Sequence, residues 1–216
     1  MGTMDSKIAD TFTCYEEIAE DCDQLKEFKI VAQAEERVLL SLVGDVKTQA
    51  ILDVGCGTGR YAKLLEDLGA RMFGIDFSRK MIHIAKTITE IACYIVADAS
   101  HLPFKDNVFH IVLSALVVNH IENLNLFLTE MLRTCRKGGE LVMSSIWREG
   151  FQEIKEFPEY FGKNAEFAVQ EYLYPPNILH KALSGLGARV THSLISLYID
   201  YGDGQKGIHI VKAKKM

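Results

Sequence analysis

Compact apolar runs alternate with helix-like stretches through the first two thirds of the chain. The runs AILDV (50–54), ARMFGID (70–76) and ACYIVAD (92–98) are predicted to be strands, and the first has the pattern of a strand buried on both faces. The stretches RYAKLLEDLGA and SRKMIHIAKTITEI (78–91) lie between them and are predicted to be helices. Such alternation predicts right-handed crossovers and a parallel α/β sheet covered on both faces.

The alternation of predicted strands and helices continues to residue 146 and then stops. VFHIVLSALVV is predicted to be the fourth strand, a helix follows from about Asn123 to Cys135, and ELVMSSI (140–146) is the fifth strand. Residues 147–176 are rich in aromatic and acidic side chains and contain no clear strand pattern. We interpret this segment as a lid or acceptor-binding insertion over the carboxyl edge of the sheet.

The two ends of the chain complete one domain, 1–216. Residues 1–45 are predicted to be a helical leader, with Ile30, Ala34, Val38 and Leu42 on its apolar face and charged residues such as Glu35 elsewhere. Residues 46–146 are the core, and 177–216 hold a helix and two strands. Because the link GDGQKG is too short for a parallel crossover, the last strand is expected to run antiparallel to the others.

Composition and charge narrow the class of protein. The chain is 48% hydrophobic and 25% charged, with a formal net charge of -5, so it lacks the overall basic balance of a nucleic-acid binder. Its first residues do not resemble a secretory signal, and no run of 18 apolar residues occurs, so no membrane span is expected. The odd number of widely spaced cysteines predicts reduced thiols and a cytoplasmic location. No metal site is expected, because no His or carboxylate cluster has ligand spacing.

The stretch ILDVGCGTGR (51–60) joins the first strand to a helix through Gly55, Gly57 and Gly59. A glycine turn at this place lets a nucleotide approach the backbone closely. The dinucleotide pattern requires a small residue where this chain has Arg60. Asp53 would repel a pyrophosphate and attract a positively charged ligand, although its carboxylate could instead hydrogen-bond the turn.

Acids also end the next two predicted strands. Asp76 can accept both hydroxyls of a ribose, and Asp98 can accept an exocyclic amino group of adenine. The alternatives are a helix N-cap for Asp76 and a turn residue for Asp98. Together with Asp53, these acids favour adenosine attached to an ammonium-bearing group.

Five motifs of this chain resemble, in the same order, those of class I S-adenosylmethionine-dependent methyltransferases. They are ILDVGCGTG, GID (74–76), VADASHLPF (96–104), FHIVLSALVVNHI (109–121) and RKGGELVMSS (136–145). The likeness spans roughly residues 30 to 146 and is closest to the small-molecule branch that includes quinone C-methyltransferases. It implies a Rossmann-like, doubly wound, seven-stranded sheet that is mostly parallel with an antiparallel last strand.

The resemblance also implies a cofactor, S-adenosylmethionine, with S-adenosylhomocysteine as the product. The glycines would lie under the methionine and ribose part, Asp53 near the ammonium, and Asp76 at the ribose hydroxyls. The resemblance implies contacts with the cofactor for these residues: Asp53, Gly55, Gly57, Gly59, Asp76, Phe77, Asp98, Ala99, Ser114 and Ala115.

Two residues are candidates for proton transfer. His120 follows the fourth strand and has a suitable ordinary pKa for a general base, although it could merely pack the loop; Tyr15 is the second candidate. An aromatic group would either shape an acceptor pocket or form the core of a lid: Tyr15, Trp147, Phe151, Tyr172 and Tyr174. The expected reaction is in-line methyl transfer to an O, N or C nucleophile of a small molecule. Methylation of protein or RNA, or cofactor binding without catalysis, are the alternatives.

Overall fold

The computed structural model describes residues 11–24, 26–89, 92–148, 155–161, 167–200 and 205–216. They form a seven-stranded sheet with helices and a separate two-stranded sheet. The helices are α1 Thr11–Ile18, α2 Lys26–Val43, α3 Arg60–Asp67, α4 Arg79–Ile88, α5 Leu124–Thr134 and α6 Pro176–Gly185, with 3₁₀ turns at Cys22–Gln24 and Val118–His120. The strands are β1 Ala50–Val54, β2 Arg71–Asp76, β3 Cys93–Val96, β4 Phe109–Ala115, β5 Cys135–Arg148, β6 Lys155–Phe161, β7 Phe167–Leu173, β8 Ala188–Asp200 and β9 Gln205–Lys215.

The large sheet has the strand order β3-β2-β1-β4-β5-β9-β8. Strands β1 to β5 pair in parallel, whereas β9 is antiparallel to both of its neighbours, β5 and β8. The predicted α/β fold and its antiparallel last strand are therefore confirmed. The chain order reverses between β1 and β4, and such a switch point leaves a crevice at the carboxyl ends of the strands where ligands bind.

Alternating side chains of the central strands bury both faces of this sheet. On β1, Leu52 and Val54 pack into a cluster with α5 and α6, while Ile51 packs into a cluster with α2, α3 and α4. Full burial on both sides explains why β1 reads as a continuous apolar run rather than an alternating one. Across the described residues, no helix combines the length and apolar character needed to cross a bilayer.

The insertion after the fifth strand differs from the sequence-based expectation. We predicted no clear strand in residues 147–176, but β5 extends to Arg148, and β6 and β7 form an antiparallel pair. This ribbon pairs only with itself, so it does not need the continuous apolar run of a central strand. Strand β7 lies beside α1 and the 118–120 turn, at the carboxyl end of β4. Phe151 lies outside the described residues.

The buried face of the leader was predicted only in part, since Leu42 is buried and Ala34 and Val38 pack against the core, but other residues of the helix are buried more deeply. Helix α2 buries Val31, Glu35 and Leu39, whereas Ala34 and Val38 remain partly exposed. Glu35 is fully buried because the Arg60 guanidinium, the Tyr61 hydroxyl and the Ser144 hydroxyl all donate hydrogen bonds to its carboxylate. A hydrophobicity pattern places a glutamate on the solvent side, since it contains no information about partners on other elements.

Candidate active site

The turn between β1 and α3 depends on glycine for its backbone shape. Gly55, Gly57 and Gly59 have φ values of 74°, 53° and 87°, which a side-chain-bearing residue adopts only with strain. A Cβ on Gly55 would lie 2.2 Å from a methyl carbon of Val117, whereas a Cβ on Gly57 would meet nothing within 4 Å. Gly57 therefore faces open space, and Gly55 permits close contact between the turn and the segment after β4.

A cavity of about 1070 Å³ opens at the carboxyl ends of β1, β2 and β4. Binding sites for small ligands typically measure about 300–1,000 Å³, so this space is large enough for a cofactor and an acceptor together. The predicted residues that line it are Tyr15, Asp53, Gly55, Gly57, Asp76, Phe77, Asp98, Ala99, Ala115 and His120.

Two of the predicted site residues do not line the cavity. Gly59 packs against α4 and Tyr94. A Cβ added at this position would lie 2.8 Å from the Tyr94 hydroxyl and 3.1 Å from Cβ of Ala85. Ser114 is fully buried on β4, opposite Met143 of β5. Trp147, Tyr172 and Tyr174 also lie outside the cavity lining, so Tyr15 is the member of the aromatic group that faces this space among those that the structure describes.

Asp53 is the most unusual acid of the site. Its side chain is 1% exposed, and among the described residues neither carboxylate oxygen has a hydrogen-bond partner. Burial raises the pKa of this carboxyl to about 7, against the opposing effect of the Arg60 guanidinium. A buried carboxylate without donors is stabilised by a bound cation, so this position favours a positively charged ligand group.

Asp76 organises the loops around it. Its Oδ2 accepts a hydrogen bond of 2.9 Å from the Gly57 amide, and its Oδ1 accepts one of the same length from the Ser78 amide. Burial raises its pKa to about 6, although these amide donors oppose the shift. Ser78 is the N-cap of α4, and it accepts a hydrogen bond from the Met81 amide. Each Asp76 oxygen retains a further lone pair that can accept a ribose hydroxyl.

The two sides of the cavity differ in polarity. At the end of β3, the Asp98 side chain is 66% exposed and accepts a hydrogen bond from the Ser100 amide. Phe77 follows β2, and its ring centroid lies 5.8 Å from that of Phe12 and 6.1 Å from that of Tyr15, so α1 covers this part of the cavity with aromatic surface.

The structure brings the two proton-transfer candidates together. The Tyr15 hydroxyl and Nε2 of His120 are 2.8 Å apart, and their rings meet edge to face at 5.2 Å. Burial lowers the pKa of His120 to about 4, so its imidazole is neutral at physiological pH. The pKa of Tyr15 is raised, chiefly by burial and further by Cys22 and the buried Glu171. A neutral tyrosine–histidine pair therefore faces the cavity.

Comparison with known proteins shows the family. Residues 52–143 match the methyltransferase domain family, and this range runs from within β1 to within β5. A malonyl-[acyl-carrier protein] O-methyltransferase of Buchnera aphidicola subsp. Baizongia pistaciae is 33% identical over 68% of this chain and 58% of its own length. The demethylmenaquinone methyltransferase of Renibacterium salmoninarum is 28% identical over 74% of this chain and 68% of its own. The chain is a class I S-adenosylmethionine-dependent methyltransferase.

The fold of this methyltransferase agrees with that assignment. An S-adenosylmethionine-dependent methyltransferase from Mesorhizobium loti superposes with a TM-score of 0.70 at 19% identity, over 84% of this chain and 97% of that one. The Buchnera and Renibacterium sequences extend beyond the matched region, since the chain spans 58% and 68% of their lengths.

The cofactor of the methyltransferase family, S-adenosylmethionine, fits the residues of the cavity. It carries an ammonium and a sulfonium, and the orphaned Asp53 carboxylate supplies the matching negative charge. Gly57 leaves the space that a side chain would fill. In the described ranges, no group of three or more His, Cys, Asp or Glu side chains is placed to hold a metal ion.

Asn119, which the sequence analysis did not single out, holds the loop that carries His120. Its side-chain amide donates to the carbonyls of Ile146 on β5 and Tyr172 on β7, at 3.0 and 3.1 Å, and its Oδ1 accepts from the Ile146 amide at 2.7 Å. The side chain is 1% exposed, so these bonds are shielded from water. Its only sequence signal was its position beside His120 in the motif after β4.

Proposed function

We propose that this methyltransferase transfers the methyl group of S-adenosylmethionine to an O, N or C nucleophile of a small molecule bound between α1 and the 118–120 turn. The observation that carries the proposal is the Tyr15–His120 hydrogen bond in the same cavity as the glycine turn and its acids. The acidic net charge of -5 supports a small acceptor over a nucleic-acid backbone. The two relatives are named for a malonyl-[acyl-carrier protein] and for demethylmenaquinone as acceptors.

Most of the catalytic effect is expected to come from alignment and exclusion of water. When bound, S-adenosylmethionine supplies a methyl group that is already activated by its positive sulfur. Asp53, Asp76 and the glycine turn would hold the cofactor, and Ala115, at the end of β4, would approach its methionine part. The aromatic surface of Phe12 and Phe77 would limit access of water to this side of the cavity once the ligands are bound. Correct positioning of two reactants can contribute about 7–11 kcal/mol to lowering a barrier.

The tyrosine–histidine pair would remove a proton from an acceptor that has one to lose. With the Tyr15 hydroxyl donating to Nε2 of His120, the tyrosine oxygen can use a lone pair to accept a hydrogen bond from the acceptor. As the nucleophile attacks, the acceptor's proton would move to Tyr15 Oη while the original phenol proton moves to His120 Nε2. The pair then ends as neutral tyrosine and imidazolium. A soft nucleophile would use the pair only for orientation.

The cellular location is part of the proposal. All five cysteines are free, and Cys14, Cys22, Cys56 and Cys135 are buried. Free thiols support a reducing compartment such as the cytoplasm.

The direct test is incubation with methyl-labelled S-adenosylmethionine and a small-molecule extract, followed by separation of metabolites, protein and RNA. Hydroxylamine treatment of the protein fraction would release any thioester-bound acyl acceptor. We expect label in the small-molecule fraction or in the released acyl groups. Label confined to RNA or to amino-acid side chains would contradict the proposal, as would tight cofactor binding with no transfer to any fraction.

Variants test the proposed chemistry at the pair. Tyr15→Phe and His120→Gln should lower kcat by about 10²- to 10⁴-fold for an acceptor that loses a proton, because general-base catalysis has this magnitude. Affinity for S-adenosylhomocysteine should change little. Unchanged kcat in both variants would remove the proton-transfer role while leaving the methyl transfer itself in place.

A further inference from the structure

Helix α1 brings Tyr15 into contact with His120, although the two residues belong to separate elements. The helix buries Cys14 and Ile18, whereas Tyr15 and Glu16 are only partly buried. It is eight residues long, and isolated helices of this length are marginal in water. The position of the helix, and with it that of Tyr15, therefore depends on contacts with neighbouring elements.

Glu16 attaches α1 to the first turn of α4. Its Oε1 accepts a hydrogen bond of 3.2 Å from the Lys80 amide. Burial of Glu16 would raise its pKa, but hydrogen bonds from the Ser78 hydroxyl and the Lys80 amide outweigh this effect and lower the pKa below its usual value. The first amides of a helix have no partner within it, and a carboxylate is favoured at this end of the helix dipole. Glu16 therefore supplies acceptors that the first turn of α4 cannot provide itself.

Ser78 connects this attachment to the cofactor side of the cavity. As the N-cap of α4 it accepts a hydrogen bond from the Met81 amide, and its own amide donates to Oδ1 of Asp76 at 2.9 Å. The residue is fully buried, so these bonds are shielded from water. One set of hydrogen bonds thus runs from Asp76 through Ser78 to Glu16. Glu16 directly follows Tyr15 in the chain.

The aromatic contacts of α1 lie beside this attachment but are less directional. The ring centroid of Phe77 lies 5.8 Å from that of Phe12 and 6.1 Å from that of Tyr15. Burial of apolar surface is non-directional, whereas a hydrogen bond has a preferred length and angle. The polar attachment at Glu16 is therefore suited to set the position of Tyr15 relative to His120.

We propose that Glu16 is a positioning residue that docks α1 on the first turn of α4 and so holds the Tyr15 hydroxyl within hydrogen-bonding distance of His120. Without this contact the pair separates, and a proton from the acceptor lacks its path to the imidazole. The groups proposed to hold the cofactor stay in place. The inference rests on the proposed function for its catalytic consequence, but the position of Tyr15 can be measured without turnover.

Nitrogen NMR of isotopically labelled histidine tests this position directly, at neutral pH with saturating S-adenosylhomocysteine. The Nε2 resonance of His120 is identified as the one missing from His120→Gln, and Tyr15→Phe defines the resonance of the imidazole without its hydroxyl partner. Glu16→Ala should move the resonance most of the way to the Tyr15→Phe value. Glu17→Ala is the matched control, because it removes an exposed acid from the next position of α1, and it should keep the wild-type resonance.

Two further measurements separate positioning from a general loss of structure. Glu16→Gln keeps an oxygen that can accept from the Lys80 amide, so its His120 resonance should lie closer to the wild-type value than that of Glu16→Ala. For an acceptor that loses a proton, Glu16→Ala should lower kcat by about 5- to 30-fold, the effect of losing one acceptor at a helix N-terminus. Affinity for S-adenosylhomocysteine should stay within about threefold of wild type.

The possible results distinguish the inference from the function on which it rests. A His120 resonance that keeps its wild-type value in Glu16→Ala, or that moves equally in Glu17→Ala, would overturn the positioning role. A Tyr15→Phe spectrum identical to that of the wild type would also overturn it, because the hydrogen bond would then be absent in solution. The predicted shifts together with an unchanged kcat in Tyr15→Phe would support the positioning role and overturn the proposed proton transfer instead.

Discussion

Replacing Asp53 with asparagine should make the cofactor-free protein more stable at high pH while weakening cofactor binding. Asp53 is buried with no hydrogen bond to either oxygen among the described residues, and its pKa is raised from 3.8 to about 7. Because the folded pKa lies above the unfolded one, folding takes up a proton in this window. The carboxyl therefore contributes stability below pH 3.8 that is lost progressively as the pH rises to about 7.

The size of this effect follows from the pKa difference. At about 1.36 kcal/mol per pH unit, ionisation of this one group destabilises the fold by on the order of 2–3 kcal/mol between pH 5 and pH 8. The asparagine introduced by Asp53→Asn does not titrate, and its buried amide lacks full hydrogen bonding much as the neutral carboxyl of the wild type does, so these two costs largely cancel. The stability of the variant relative to the wild type should therefore increase by about 2–3 kcal/mol between pH 5 and pH 8, and the variant should be the more stable protein at pH 8.

Urea unfolding of both proteins at pH 5 and pH 8, without cofactor, measures this difference. Asp45→Asn, a substitution at an exposed position, controls for the change in net charge. In parallel, calorimetry should show that Asp53→Asn binds S-adenosylhomocysteine about 10- to 100-fold more weakly, because a charge-assisted contact with the ammonium is lost. A stability difference that does not change with pH would refute the assignment of a raised pKa, and unchanged affinity would refute the contact.

Three further substitutions test other parts of the site. Gly57→Val should abolish detectable binding of S-adenosylhomocysteine in calorimetry, since Gly57 faces open space that the valine side chain would fill, and a normal cofactor complex would contradict the placement. Backbone strain at the positive φ should also lower the free energy of unfolding by about 1–3 kcal/mol. Asp98→Ala removes an exposed acid, so the free energy of unfolding should change by less than about 1 kcal/mol while cofactor affinity falls several-fold; equal affinity in calorimetry would remove the adenine contact. Asn119→Ala breaks three buried hydrogen bonds to β5 and β7, so we expect a loss of about 2–4 kcal/mol in urea unfolding and a lower kcat; wild-type values for both would show that the loop is held by other contacts.

The elements that repeat a local pattern were predictable from the sequence. Buried parallel strands such as Ala50–Val54 appear as continuous apolar runs, and the glycines that follow mark the turn because only their backbone tolerates its positive φ. The order of five motifs then indicated where the cavity lies, and most of the expected residues do line it.

Features that depend on partners distant in sequence were not predictable in the same way. Glu35 reads as a solvent-facing residue of α2, but it is buried because Arg60, Tyr61 and Ser144 meet it from other elements. The β6–β7 ribbon depends on pairing between two strands that are individually rich in polar residues. The contact between Tyr15 and His120 joins residues that are 105 positions apart, and no local pattern encodes it.

The central claim is that the cavity transfers a methyl group from S-adenosylmethionine to a small molecule. The measurement that tests it most directly is the ratio of S-adenosylhomocysteine formed to labelled small-molecule product, determined together by mass spectrometry in one reaction with methyl-labelled donor. We predict one equivalent of labelled product for each S-adenosylhomocysteine, and neither compound with the Gly57→Val protein. Formation of S-adenosylhomocysteine without a labelled small molecule, or the same yield from the Gly57→Val protein, would contradict the claim.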